Sequence, residues 1–135
     1  YGVSFNENSI LVLGPFEIGF IKNVHPVEAY SVKIKCGGKV FSFTSDTSYF
    51  QGLEDFFNES DLLICECSFY AHMDGTKAGH LNSSQAGILA EKANVKKLVL
   101  THMPHFGDLN NLLAEVKEHY SGDIELASYL MEINI

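Results

Sequence analysis

Basic residues are scarce in this sequence. Nine Lys and Arg stand against 17 Asp and Glu over 135 residues, a formal charge of -8 at pH 7. That balance excludes a domain that holds nucleic acid by its own electrostatic field. Cysteine is sparse too: Cys36, Cys65 and Cys67 form an odd set with no paired framework, and the last two fall in an apolar run that reads as a buried strand. They are expected to be reduced, structural thiols of a cytoplasmic protein, and not to face one metal ion together. No apolar stretch runs to membrane-spanning length without polar or turn residues, and no basic segment followed by an apolar one opens the chain. Neither membrane association nor a signal segment is expected. The chain begins at Tyr1 with no initiator methionine, and further material upstream is expected.

What is present is enough for one packed core. The length is that of one domain and 46% of the residues are hydrophobic, so residues 1–135 read as a single domain or a half-domain. Phe16 to Val24 and Tyr30 to Cys36 alternate apolar and polar residues, and Gly37-Gly38 then leads into Lys39 to Phe43, as in a hairpin. From Tyr49 the period becomes helical, with Phe50, Leu53 and Phe57 on one face, before the buried-type strand Asp61 to Cys65. After a polar loop over Ala71 to Asn82, the pair Asn82 and Gln85 has the form of a capping box for a helix beginning near Ser83. Lys97 to Thr101 is a further buried strand, and Asp108 is placed to cap a helix carrying Leu109, Leu112, Leu113, Val116 and Tyr120. Two short strands, Ile124 to Ala127 and Tyr129 to Ile133, close the chain. A β-meander followed by alternating helices and strands predicts an α/β layer structure with helices on one face of a sheet.

The polar residues are the informative ones. Asp46 follows one strand, Glu66 closes another, His80 precedes the helix near Ser83, and His102 ends the strand Leu98 to Leu100. In open α/β sheets the carboxyl ends of strands are where sites assemble, so these four are expected to meet in one crevice. Each has a plainer reading. Asp46 alone suits a turn cap, His102 a satisfied loop histidine, and His80 a residue before a helix cap. Glu66 is harder to dismiss, because a carboxylate ending an apolar strand must find a partner or shift its pKa. His72, Asp74 and His105 read as polar loop residues.

Four segments carry a family resemblance: Phe43-Thr44-Ser45-Asp46-Thr47, Leu62-Leu63-Ile64-Cys65-Glu66-Cys67, Gly79-His80-Leu81-Asn82-Ser83 and Leu98-Val99-Leu100-Thr101-His102. In order and spacing this set resembles the C-terminal half of the metallo-β-lactamase superfamily, in the branch of ribonuclease Z-like phosphodiesterases. Val24-His25-Pro26-Val27 through Tyr30 extends the likeness over nearly the whole chain. The resemblance implies half of an αββα sandwich and a site for two divalent ions, zinc foremost, with manganese or iron as alternatives. Asp46 would be the carboxylate bridging the two ions, which in such sites lie about 3.5 to 4 Å apart, and His102 the imidazole on the second ion. Glu66 and His80 would be the catalytic pair, the glutamate orienting a histidine that gives a proton to the leaving oxygen.

The family's most diagnostic string, His-x-His-x-Asp-His, occurs nowhere in the sequence, and His25 matches a non-ligand position. Two protein ligands fall short of the three that a catalytic zinc site takes. The resemblance thus implies an enzyme that is inactive as this segment alone, whose partner is the missing N-terminal half of the fold. Its substrate would be a small phosphodiester or RNA. The alternative is a non-catalytic scaffold or interaction module that kept the fold without the site. Either way, apolar surface left open by the missing half makes a homodimer an expected state.

Overall fold

A computed structural model of the chain describes residues 4–6 and 9–135. Seven strands form one sheet whose spatial order is the chain order: β1 (Ile10–Leu13), β2 (Phe16–Lys22), β3 (Tyr30–Cys36), β4 (Lys39–Phe43), β5 (Leu62–Glu66), β6 (Lys97–Thr101) and β7 (Asp123–Leu126). The first four are antiparallel neighbours and the last four parallel ones. The change of sense comes where tight turns give way to helical crossovers, since parallel strands cannot be joined by a two-residue turn. Those crossovers carry α1 (Leu53–Phe57), α2 (Ser83–Lys92) and α3 (Leu109–Lys117).

Local chemistry sets the helix ends. The Asn82 side chain accepts the Gln85 N–H while the Gln85 side chain accepts the Asn82 N–H, the reciprocal pair expected at the start of α2. Asp108 accepts the Asn110 N–H and caps α3. Helix α1 is shorter than the apolar spacing from Tyr49 suggests, because the chain first turns through Gly52 at φ 106° and becomes helical only afterwards.

One expectation is corrected and one strand is added. The segment Tyr129 to Ile133 is not a strand. The ladder ends with the Ala127 N–H donating to the Leu100 carbonyl, and a turn with Leu130 at φ 56° follows. Strand β1 escapes the period-2 test because its four residues are all apolar; it pairs with β2 across a turn at Gly14.

The helices cover one face of the sheet. Leu63, Cys65, Leu98 and Leu100 meet Leu53, Phe57, Leu89, Leu112 and Val116 in a single buried cluster. Cys67 lies in the same cluster. Cys65 and Cys67, two positions apart, thus share a face, as alternate residues of an extended chain do, and neither joins a metal-capable group among the described residues. Both are free thiols. Burial pushes the Cys67 thiol up to about 12 and that of Cys65 well above its ordinary value. They remain protonated and inert at neutral pH, as structural thiols should. The strand register puts Ile18, Phe20, Val32, Ile34, Phe41 and Phe43 on the opposite face, where none is fully buried. Among the described residues no helix is long and apolar enough to cross a membrane.

Candidate metal centre

The site lies at the carboxyl ends of β4, β5 and β6, and backbone stitching holds its loops. After β4 the chain must leave the sheet and present Asp46. Buried Asn23 does most of this work, its side-chain amide donating to the carbonyls of Thr44 (2.8 Å) and Asp46 (3.0 Å). The Ser31 hydroxyl donates to the same Thr44 carbonyl at 2.8 Å. Thr47 and Ser48 then fasten the loop to Val24, with the Val24 N–H donating to Thr47 Oγ1 and the Ser48 N–H to the Val24 carbonyl. Two non-glycine residues beside the site, Ser45 (φ 52°) and His102 (φ 48°), adopt the left-handed region. Such conformations persist where surrounding bonds over-determine them, and they cluster at functional sites.

All four expected residues meet. Asp46 Oδ1 lies 3.0 Å from His102 Nδ1. Glu66 Oε1 lies 2.9 Å from His80 Nδ1, and the rings of His80 and His102 stand edge to face with centroids 5.1 Å apart. The Glu66 side chain is 1% exposed, yet its oxygens are well supplied with donors. Oε1 also accepts the Thr47 N–H at 2.9 Å, and Oε2 accepts the Ser68 hydroxyl at 2.8 Å. A carboxylate accepts and does not donate, so its contact fixes hydrogen on His80 Nδ1 and leaves Nε2 free. Exposure rises outward from Glu66 to His80 (17%) and His102 (48%). The oriented pair is sheltered, whereas Asp46 and His102 stand open to whatever approaches the sheet end.

Sequence reasoning missed three residues. Ser68 joins the two pairs, since its hydroxyl also stands 3.3 Å from His102 Nδ1 and 3.2 Å from the His102 carbonyl. Nothing in a lone serine two positions after Glu66 announces this. Asn23, a buried polar residue at a strand end, was legible only as a breaker of alternation. His25, expected outside the ligand set, has its ring centroid 5.3 Å from that of His80. Gly79 makes this approach possible: a Cβ there would lie 2.6 Å from Pro26 Cδ and 2.7 Å from His25 Cδ2. By contrast His72 stacks on Tyr70, and Asp74 accepts the Thr76 N–H in an exposed loop. Neither they nor His105 join a metal-capable group among the described residues.

The donor set suits a divalent cation. Two ligands of one tetrahedral zinc stand roughly 3.3 to 3.5 Å apart when bonds are about 2.0 to 2.2 Å, so the Asp46–His102 separation of 3.0 Å is a hydrogen-bond distance that a small outward shift would turn into a ligand spacing. Two overlapping groups, His25–Asp46–His80 and Glu66–His80–His102, each bring three ligand atoms within 4.8 Å of one another.

A mixed sheet with its helices on one face, and imidazoles and carboxylates gathered at its parallel strand ends, is the arrangement of a metallo-β-lactamase fold. Residues 14–103 match the β-lactamase superfamily domain, and the chain belongs to that superfamily. It is 43% identical over 126 residues to the Bacillus subtilis protein named probable metallo-hydrolase YhfI, covering 93% of this chain and 52% of that protein. The crystal structure of YhfI superposes with a TM-score of 0.90 over 94% of this chain and 53% of its own. Ribonuclease Z of Salinispora arenicola is 36% identical over 101 residues, 73% of this chain and 33% of that enzyme. Human tRNase Z, short form, shares the fold at a TM-score of 0.72 and 24% identity, over 93% of this chain and 45% of that one. The chain therefore spans between a third and about half the length of these relatives, and corresponds to about half of the fold.

Proposed function

We propose that this chain supplies one half of the active site of a metal-dependent phosphodiesterase, the other half being contributed by residues outside it. The observation that carries the reading is the convergence of Asp46 and His102 to 3.0 Å at the ends of strands β4 and β6, beside the oriented pair Glu66–His80. In this reading Asp46 and His102 would hold divalent cations, a carboxylate and an imidazole being donors that such ions accept. Two zinc ions suit this donor set, and manganese or iron would be accepted by the same chemistry. When bound, such cations supply Lewis-acid polarisation of the phosphoryl group and offset its charge.

The chain's own residues do the rest. Asp46 and His102 set the position at which the phosphoryl group is held. Glu66 keeps the His80 tautomer fixed, so that as water adds its oxygen to phosphorus and the ester bond breaks, His80 Nε2 delivers a proton to the departing oxygen, and the proton lost by that water restores His80 before the next turnover. Ser68 restrains Glu66 and His102 together. A site that protonates its leaving group suits a phosphodiester with a poor leaving group. The net charge of -8 favours a small phosphodiester over RNA, although ribonuclease Z relatives make RNA the second candidate.

The test is a longer chain that restores the upstream half. It should bind two equivalents of zinc and cleave bis(p-nitrophenyl) phosphate, and Asp46→Ala and His102→Ala should each lower bound metal and activity together. A folded, longer chain that neither binds zinc nor cleaves any diester would overturn the reading.

A further inference from the structure

Two imidazoles besides His102 stand close enough to Asp46 to share an ion with it, and other contacts hold both. His80 has Nδ1 engaged by the buried Glu66 carboxylate at 2.9 Å. His25 is held through the same ring atom, its Nδ1 lying 2.9 Å from the Val27 carbonyl oxygen and 3.2 Å from the Val27 nitrogen. An oxygen acceptor on one ring nitrogen fixes the tautomer and raises the basicity of the other, which is the arrangement found behind metal-ligating histidines. In both rings these contacts fall on Nδ1 and leave Nε2 outside them, and one ligand atom from each of His25, Asp46 and His80 lies within 4.8 Å of the others. The three come from separate loops fixed in place by other bonds: His25 by the Val24 stitching, Asp46 by Asn23, and His80 by Glu66 and the close approach of Gly79. Little ordering would be left for a bound ion to impose.

We propose that His25, Asp46 and His80 form a mononuclear, three-donor site for a divalent transition metal of the zinc class, carried by this chain alone. Two neutral imidazoles and one carboxylate are the donors of many single-zinc sites, with water completing four-coordination. The site is distinct from the Asp46–His102 assignment above, because it uses His25 and does not use His102. An ion bound there occupies the nitrogen from which His80 would donate a proton, so metal and proton compete for one lone pair. Excess zinc would accordingly hold the pair Glu66–His80 in a form unable to donate.

The experiment uses the 135-residue chain itself, titrated with Zn(II) by calorimetry and with Co(II) by visible absorption. One equivalent should bind, with the intense visible bands of four-coordinate cobalt. His25→Ala and His80→Ala should each weaken binding by at least about tenfold, the scale on which metal sites respond to loss of a supporting contact, while His72→Ala, outside every metal-capable group among the described residues, should leave it nearly unchanged. Long-range proton–nitrogen NMR of the unmodified chain should show zinc shifting the free ring nitrogens of His25 and His80. Unchanged affinity in His25→Ala, or zinc shifting His102 instead of His25, would sink the proposal and leave the Asp46–His102 reading intact. An absence of binding by the unmodified chain would also overturn it. Loss of binding in His25→Ala with none in His72→Ala, and zinc shifting His25 and not His102, would support it, whatever the longer chain catalyses.

Discussion

Glu66 shows how one buried carboxylate organises a site. It accepts from a backbone N–H, a hydroxyl and an imidazole, so its negative charge is spread over donors that come from three different segments. Replacing it with Gln keeps the shape but exchanges one acceptor oxygen for an N–H, so the His80 tautomer is no longer fixed. In the longer chain, Glu66→Gln is expected to lower kcat by about a hundredfold, in the range of general-acid contributions. The loss should be larger for an alkyl leaving group than for p-nitrophenolate, which needs no proton. Equal losses for both leaving groups would place Glu66 in a purely structural role. Gly79 is the second residue with a clear expectation. At φ 84° and packed against His25 and Pro26, it cannot accept a Cβ without moving that loop. Gly79→Ala should destabilise the chain by about 1 to 3 kcal/mol, read as a lower urea midpoint, and should widen the His25–His80 approach. A midpoint equal to that of the parent would show that the loop yields freely.

At the scale of elements, the parallel half of the sheet is fastened at its amino end by Asp61. Its carboxylate accepts the Val40 N–H at 2.8 Å and Lys96 Nζ at 2.8 Å, tying β4, β5 and the entry to β6. The Lys96 contact first, then the Val40 N–H, holds the Asp61 carboxyl below its ordinary value of 3.8. A carboxylate with a depressed folded-state pKa adds stability that is fully present above the unfolded value and is lost as pH falls through the folded one. Asp61→Asn should therefore be less stable than the parent near neutrality, with the gap closing below about pH 4. Urea midpoints measured from pH 7 down to 3 would show it; a gap independent of pH would mean that the charge plays no part.

The elements most legible in the sequence were those whose signal is local. The capping box at Asn82, the cap at Asp108 and the helical spacing of Leu109, Leu112 and Val116 each lie within a few residues. So does the strand pattern of β2 to β4. The strand predicted over Tyr129 to Ile133 failed because alternation describes a half-buried surface, and no neighbouring strand exists there to bury it against. At the site, Asp46, Glu66, His80 and His102 were legible because each ends a recognisable strand or opens a helix. His25 and Ser68 were not, because their roles depend on contacts between loops that no single window of sequence contains.

For the molecule as a whole, the feature with most consequence is the two-sided sheet. One face is sealed by α1, α2 and α3, while Phe20, Val32, Ile34 and Phe41 on the other remain partly exposed, with Phe5 stacked on Phe20 at 4.1 Å as a partial cover. A contiguous apolar face of this kind marks an interaction surface. The site lies at the edge of that face, as expected if a second layer completes both the core and the ligand set. Alone at micromolar concentration, the chain should sediment above its monomer mass of 15.0 kDa, and the pair of changes Val32→Lys and Ile34→Lys should return it to monomer. A parent chain that sediments as a clean monomer would show that this face is tolerated in water.

The strictly sequential order of the seven strands has its own consequence during synthesis. Each new strand finds its neighbour already in place, so the hairpins of β1 to β4 can form as they emerge, and every later strand adds to a waiting edge. His102 arrives only with the end of β6, so Asp46 and His80 must wait in unfinished company until that strand docks. The candidate site is thus assembled from its earlier loops outward, and the imidazole of His102 is the last of its side chains to be synthesised.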